Sequence, residues 1–313
     1  MTNQRETKPN FFIIGAPKCG TTALSEYLST NPEVHFSRPK EPKYFHTDFS
    51  DKHRDVLTLE AYLRCFDPTE MSRCRAVGEG SVWYLYSRAA VPNILAFNPA
   101  ARFIVLLRNP VDLVYSLHSQ LLYGGHEEVE DFETAWRLQA ARSQGEQIPL
   151  GCPDPQVLQY GSVAKLGEQL ERLYRLVPRD RVLVLLQEDL QREPLRVYHQ
   201  TLEFLGLPTD DRSSFPLRNA NRRLRRPRLA RLFFFGWLAK RRLGMRRSLG
   251  LWRIVSPVLS TVEGRRPLSP ELRSELGGFF EDDLRKLSDL VDRDLSSWSS
   301  QAAARDDVPQ LLE

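Results

Sequence analysis

The chain alternates short apolar runs with stretches of helical periodicity. Phe11-Phe-Ile-Ile-Gly15 is a compact apolar run closed by glycine, the mark of a strand buried on both faces of a parallel sheet. Thr21-Thr22 opens a helical pattern carried by Leu24, Tyr27 and Leu28, which stops near Asn31-Pro32 because proline disfavours helix in the residue before it. Residues 76–79, 102–107 and 181–186 read as further strands. Helices are predicted from Val111 past Leu122, over 132–143, over 160–176 and over 194–205 up to Gly206, and in the tail over 270–298. Strands alternating with helices predict an α/β fold, a parallel sheet flanked by helices on both faces. Residues 8–298 are expected to form a single domain, with 299–313 a frayed polar tail.

Composition changes this picture little. The chain has 313 residues, 41% hydrophobic and 27% charged, which excludes wholesale disorder and collagen-like or disulfide-scaffold classes. Net charge is +4, too mild to argue nucleic-acid binding. The four cysteines, Cys19, Cys65, Cys74 and Cys152, form no CxxC pair, and the six histidines lack ligand spacing, so no metal site is expected. The polar stretch Met1–Asn10 has no signal-peptide core and no run approaches ~20 apolar residues, so the expected location is cytoplasmic.

The charge is unevenly placed. Between Asp211 and Glu263 there is no acidic residue while arginines recur, and Leu232-Phe-Phe-Phe-Gly-Trp-Leu238 lies among them. Three readings of 218–253 stay open: a solvated cationic helix pair packed by its aromatic face, a lid over an acceptor pocket, or docking on an anionic membrane surface through 229–247. Nucleic acid is not expected as a partner, since no recognised module accompanies the arginines.

The strongest chemical signal is Gly15-Ala-Pro-Lys-Cys-Gly-Thr-Thr22, between a strand and a helix. Backbone amides of such a turn converge on an anion, and the helix N-terminus adds positive potential. The two glycines have the spacing of a nucleotide-triphosphatase P-loop, but Thr21 stands where that loop needs lysine, and the cation is Lys18 inside the turn. An ordinary strand–turn–helix corner has no need of proline, lysine, glycine and two threonines together.

Pro17-Lys-Cys-Gly-Thr-Thr22 resembles the 5′-phosphosulfate loop of sulfotransferases that use 3′-phosphoadenosine 5′-phosphosulfate (PAPS). Arg108-Asn-Pro-Val-Asp-Leu-Val-Tyr-Ser116 resembles the family's 3′-phosphate element, in which the arginine and the serine eight residues on bind the phosphate. Lys40-Glu-Pro-Lys-Tyr-Phe45 is similar to the segment of heparan-type and bacterial members whose glutamate is the catalytic base. His35, His46, His118 and Glu79 are the rival bases. Gly78-Glu-Gly-Ser81 with Trp83-Tyr-Leu85 resembles the segment lining the acceptor cleft, where heparan-type members often carry lysine at the place of Gly80. Gly264-Arg-Arg-Pro267 resembles a basic loop over the donor phosphates, although Glu263 replaces the family's preceding lysine.

The resemblance, which runs from about residue 10 to 298, implies sulfuryl transfer from PAPS to a hydroxyl or amine without a metal. It implies catalytic roles for Lys18 and Glu41, and donor contacts from Lys18, Cys19, Gly20, Thr21, Thr22, Ala23, Arg108, Ser116, Gly264, Arg265 and Arg266. The acceptor stays open among a carbohydrate, a lipid and a small metabolite. Two other functions compete: a P-loop kinase of a small molecule, which needs ATP and Mg²⁺, and a catalytically silent anion- or partner-binding protein on the same scaffold.

Overall fold

A computed structural model describes residues 8–212, 214–215, 222–224, 260–262 and 267–300. Its elements are β1 (Phe11–Gly15), α1 (Thr21–Ser29), β2 (Val34–Phe36), α2 (Leu59–Leu63), α3 (Pro68–Arg73), β3 (Ala76–Glu79), α4 (Ala90–Phe97), β4 (Arg102–Leu107) and α5 (Pro110–Tyr123). There follow α6 (Phe132–Arg137), α7 (Gln139–Ser143), α8 (Tyr160–Ala164), α9 (Leu166–Leu176), β5 (Val182–Leu186), α10 (Gln187–Arg192) and α11 (Pro194–Leu205). The last are β6 (Arg222–Leu224), β7 (Ser260–Val262), α12 (Pro270–Val291) and α13 (Ser297–Ser300).

Five strands form one parallel sheet in the order β2-β3-β1-β4-β5, flanked by helices. Strand β1 lies at the centre, with Phe11 paired to Gly78 on one side and Arg102 on the other. All five residues of β1 are buried, as are the last five of β4, which is why both read as unbroken apolar runs. Buried apolar side chains from Phe11 to Trp298 make one continuous core, so the tail helix α12 packs into the same interior as the sheet.

The expected strands stand where the apolar runs placed them, except that Arg181 belongs to a 3₁₀ turn before β5. Strand β2 went unread, because three residues between Pro32 and Pro39 give no pattern. The helix expected over 132–143 is broken at Leu138, and the one over 160–176 at Lys165. The tail helix stops at Val291, because Asp292 turns left-handed at φ 51°, and only α13 follows. Of the basic stretch 218–253, only 222–224 is described, paired antiparallel with 260–262; 225–253, the basic loop 264–266 and the tail 301–313 lie outside the described residues. Among the described residues no helix is long and apolar enough to cross a membrane.

Candidate active site

Every strand of the parallel sheet delivers its following loop to the same edge, and ligands of such sheets bind in the crevice there. Because β1 is central, its loop is flanked by the chain leaving β3 and the chain leaving β4.

The loop after β1 is built on two left-handed residues, Lys18 at φ 66° and Gly20 at φ 90°. Gly20 is the N-cap of α1 and makes no side-chain capping bond. A side chain there would adopt a disfavoured φ and press its Cβ to 3.2 Å from Leu190 Cδ2. The first amides of a helix have no partner within it, so they are available to an anion. Cys19 is fully buried between these residues, and burial pushes its thiol up to about 12. It is therefore a packing residue, and its Sγ donates to the Pro17 carbonyl at 3.4 Å. Thr21 is buried, and Thr22 and Ala23 are partly exposed.

Arg108 follows the neighbouring strand β4, and its Nη1 donates to the Lys18 carbonyl oxygen at 3.2 Å. One guanidinium thus fixes the turn of the lysine loop and stands beside it as a permanent cation. Asn109 then caps α5 by accepting from the Val111 amide at 2.9 Å, with Pro110 in the first helical turn. The other end of the Asn109 side chain donates to the Trp298 carbonyl at 2.8 Å, which ties α13 to this corner. Ser116 is buried about two turns further along α5.

Glu41 arrives in the loop after β2. The Lys40 ammonium lies 3.3 Å from Glu41 Oε1 and donates to Thr21 Oγ1 at 3.3 Å. The glutamate, partly exposed, therefore stands beside the start of α1. Lys18, Gly20, Thr21, Arg108 and Glu41, scattered over 91 residues of sequence, share one edge of the sheet. Gly264, Arg265 and Arg266 lie outside the described residues.

The rival bases are engaged elsewhere. His118 is buried and donates to the Val129 carbonyl at 2.9 Å, and His46 and His53 are buried and bonded to each other at 3.0 Å. His35 accepts from the Asp67 amide at 3.2 Å. Glu79 is fully buried, and burial pushes its carboxyl up to about 7 against the bonds from Ser81 and Tyr84.

Two features escaped the sequence reading. In the segment 78–85, which resembles an acceptor-cleft lining, Glu79, Ser81 and Tyr84 are fully buried, and the hydroxyls of Ser81 and Tyr84 accept from the backbone amides of 43–45. Lys40 shows in the sequence only as the neighbour of Glu41, yet its stem crosses Gly80, where an added Cβ would meet Lys40 Cε at 2.6 Å. The glycine at 80 is the signal that could have found it: a missing side chain makes room for one that comes from elsewhere.

Comparison with known proteins settles the class. The chain matches a family model described as the sulfotransferase domain over residues 8–217. This chain belongs to the sulfotransferase family. A solved structure of a sulfotransferase from Alicyclobacillus acidocaldarius superposes with a TM-score of 0.68 at 27% identity, covering 93% of this chain and 98% of that one. Carbohydrate sulfotransferase 15 of Mus musculus is 34% identical over 148 residues, covering 34% of this chain. The bifunctional heparan sulfate N-deacetylase/N-sulfotransferase 1 of Homo sapiens is 24% identical over 209 residues, covering 64% of this chain. This sulfotransferase spans about a quarter of the length of these curated relatives, 26% and 22% respectively. It shares the fold of the bacterial enzyme over nearly all its length.

Proposed function

We propose that this sulfotransferase takes its sulfuryl group from PAPS and gives it to a carbohydrate hydroxyl or amine, releasing 3′,5′-diphosphoadenosine (PAP). The observation that carries the donor assignment is the bond from Arg108 to the Lys18 carbonyl, which joins a phosphate-type loop to a second phosphate-type cation in one crevice. A donor with phosphates at both ends of one ribose needs two such positions. In this reading the amides of Gly20, Thr21 and Thr22 hold the 5′-phosphate, while Arg108 and Ser116 hold the 3′-phosphate.

Lys18 is suited to follow the bridging oxygen as the bond to sulfur breaks and negative charge collects there. Glu41 takes the acceptor proton as the acceptor oxygen or nitrogen bonds to sulfur on the opposite side. The Lys40 ammonium, bonded to both Glu41 and Thr21, holds that carboxylate near α1. The carbohydrate acceptor is supported by the names of two relatives, one a carbohydrate and one a heparan sulfate enzyme.

Thermal-shift titration tests the donor. PAP should raise the melting temperature without Mg²⁺. Stabilisation by ATP with Mg²⁺ and not by PAP would favour a kinase, a reading that Thr21 at the place of the Walker lysine already opposes. Labelled PAPS offered with a panel of sugars, lipids and small alcohols tests the acceptor. Glu41→Gln should cut turnover by roughly 10²–10⁴, the scale of general-base catalysis, while leaving PAP affinity unchanged.

A further inference from the structure

We propose that Glu79 is a positioning residue for Glu41: acting through Ser81 and Tyr84, its buried carboxylate holds the backbone of residues 43–45 and so sets where the base stands. The inference rests on the reading of Glu41 as the base.

Glu79 is the last residue of β3 and is fully buried, so it touches neither donor nor acceptor. Both its oxygens are used. Oε2 accepts from the Ser81 hydroxyl, and Oε1 accepts from the Tyr84 hydroxyl at 3.0 Å. A hydroxyl has one proton to give, and above about pH 7, where its buried carboxyl is ionised, Glu79 can only accept. With both protons pointed at Glu79, the oxygens of Ser81 and Tyr84 are left as acceptors. They receive three consecutive amides of the loop that carries Glu41. Lys43 N donates to Ser81 Oγ at 3.0 Å, and Tyr44 N and Phe45 N donate to Tyr84 Oη at 3.0 and 3.2 Å. On the other side of Glu41, the Lys40 carbonyl accepts from the Gly80 amide at 2.9 Å and from the Ser37 hydroxyl at 3.1 Å. Glu41 is thus held between two anchors, and both belong to the chain around the end of β3.

The loop needs such anchors. Lys43 has φ 54°, left-handed backbone that a residue with a Cβ adopts at a cost. The clamp also has a fixed polarity. An amide at position 79 would have to donate to one of the two hydroxyl oxygens, in competition with a loop N–H. Glu79→Gln should therefore release one anchor while preserving volume and burial.

The test reads amide exchange at single residues together with turnover. Ser81→Ala should speed exchange at Lys43 alone, and Tyr84→Phe at Tyr44 and Phe45 alone. Each gain should be roughly tenfold, the scale of one lost hydrogen bond. Glu79→Gln should do so at one or both sites and lower kcat, leaving PAP affinity and exchange in β1 and β4 as in the wild type. Normal exchange at 43–45 in Glu79→Gln would overturn the proposal. So would a loosened loop with full kcat, or an increase spread evenly over the sheet, which would make Glu79 merely structural. Glu41→Gln keeps the loop protected. If that variant turns over normally, the base assignment fails and the positioning role falls with it. The exchange pattern shows separately whether the clamp itself exists.

Discussion

Lys18 and Arg108 are joined by one hydrogen bond, yet on the proposed mechanism their removal should be felt in different constants. Lys18→Ala removes a charge needed as the leaving oxygen turns anionic. It should lower kcat by roughly 10²–10³ and weaken PAP binding less than that. Arg108→Ala removes a contact made equally in ground and transition states, so the donor's Kd should rise by about 10–100-fold, the equivalent of ~1.5–3 kcal/mol. The preference for PAPS over its 3′-dephospho analogue should shrink with it. Titration calorimetry with PAP and single-turnover rates would separate the two variants, and equal effects on Kd and kcat in both would remove the distinction. At this scale the sequence points to Lys18, Arg108 and Glu41 by residue type and motif, and the fold brings the three to one edge of the sheet. Lys40 did not show, because its partner Thr21 is 19 residues away and the room for its stem comes from Gly80.

At the scale of elements, the break between α8 and α9 teaches the most. Val163, Leu166, Leu170 and Leu173 keep one apolar phase across it, so periodicity alone reads a single helix. The chain in fact restarts at Leu166, and the cap is supplied from α12. Asp283 accepts from the Gly167 amide at 2.9 Å and from the Glu168 amide at 2.8 Å. Gly167 is required there, since an added Cβ would lie 2.4 Å from the Asp283 carbonyl oxygen. A capping side chain 115 residues away in sequence leaves no local sign, so no window of sequence could show it. Asp283→Ala should cost about 1–2 kcal/mol in urea unfolding, the scale of a lost cap, with PAP affinity unchanged. A variant as stable as the wild type would show that the helix start does not depend on α12.

For the whole molecule, the sheet order decides what meets what. The sequence predicted strands, helices and a parallel sheet, but not that β1 sits between β3 and β4, which is the fact that brings Arg108 and the end of β3 to either side of Lys18. Strand order depends on long-range pairings that no local pattern encodes. The interior also sets a pH limit. Burial, reinforced by Lys43, holds the imidazoles of His46 and His53 far below their usual range, so both are neutral in the folded chain and protonate readily when unfolded. The folded state then binds fewer protons, so the pair's contribution to stability is complete above about pH 6.5 and is lost as pH falls below it. The advantage of the wild type over His53→Asn in thermal melts should therefore shrink between pH 8 and pH 5. A constant difference would mean that the pair titrates alike in both states.

A thiol set beside two cations, as Cys19 is beside Arg108 and Lys18, is ordinarily an invitation to oxidants and alkylating reagents, whose target is the thiolate. The burial that raises Cys19 to about 12 withdraws that invitation while the chain is folded, and half-buried Cys74 and Cys152 are the more accessible sulfurs. The loop after β1 can therefore contain a cysteine and still be chemically mute. A maleimide dye put on this protein goes to Cys74 and Cys152 before Cys19, and an adduct found on Cys19 is a record that the loop had come open.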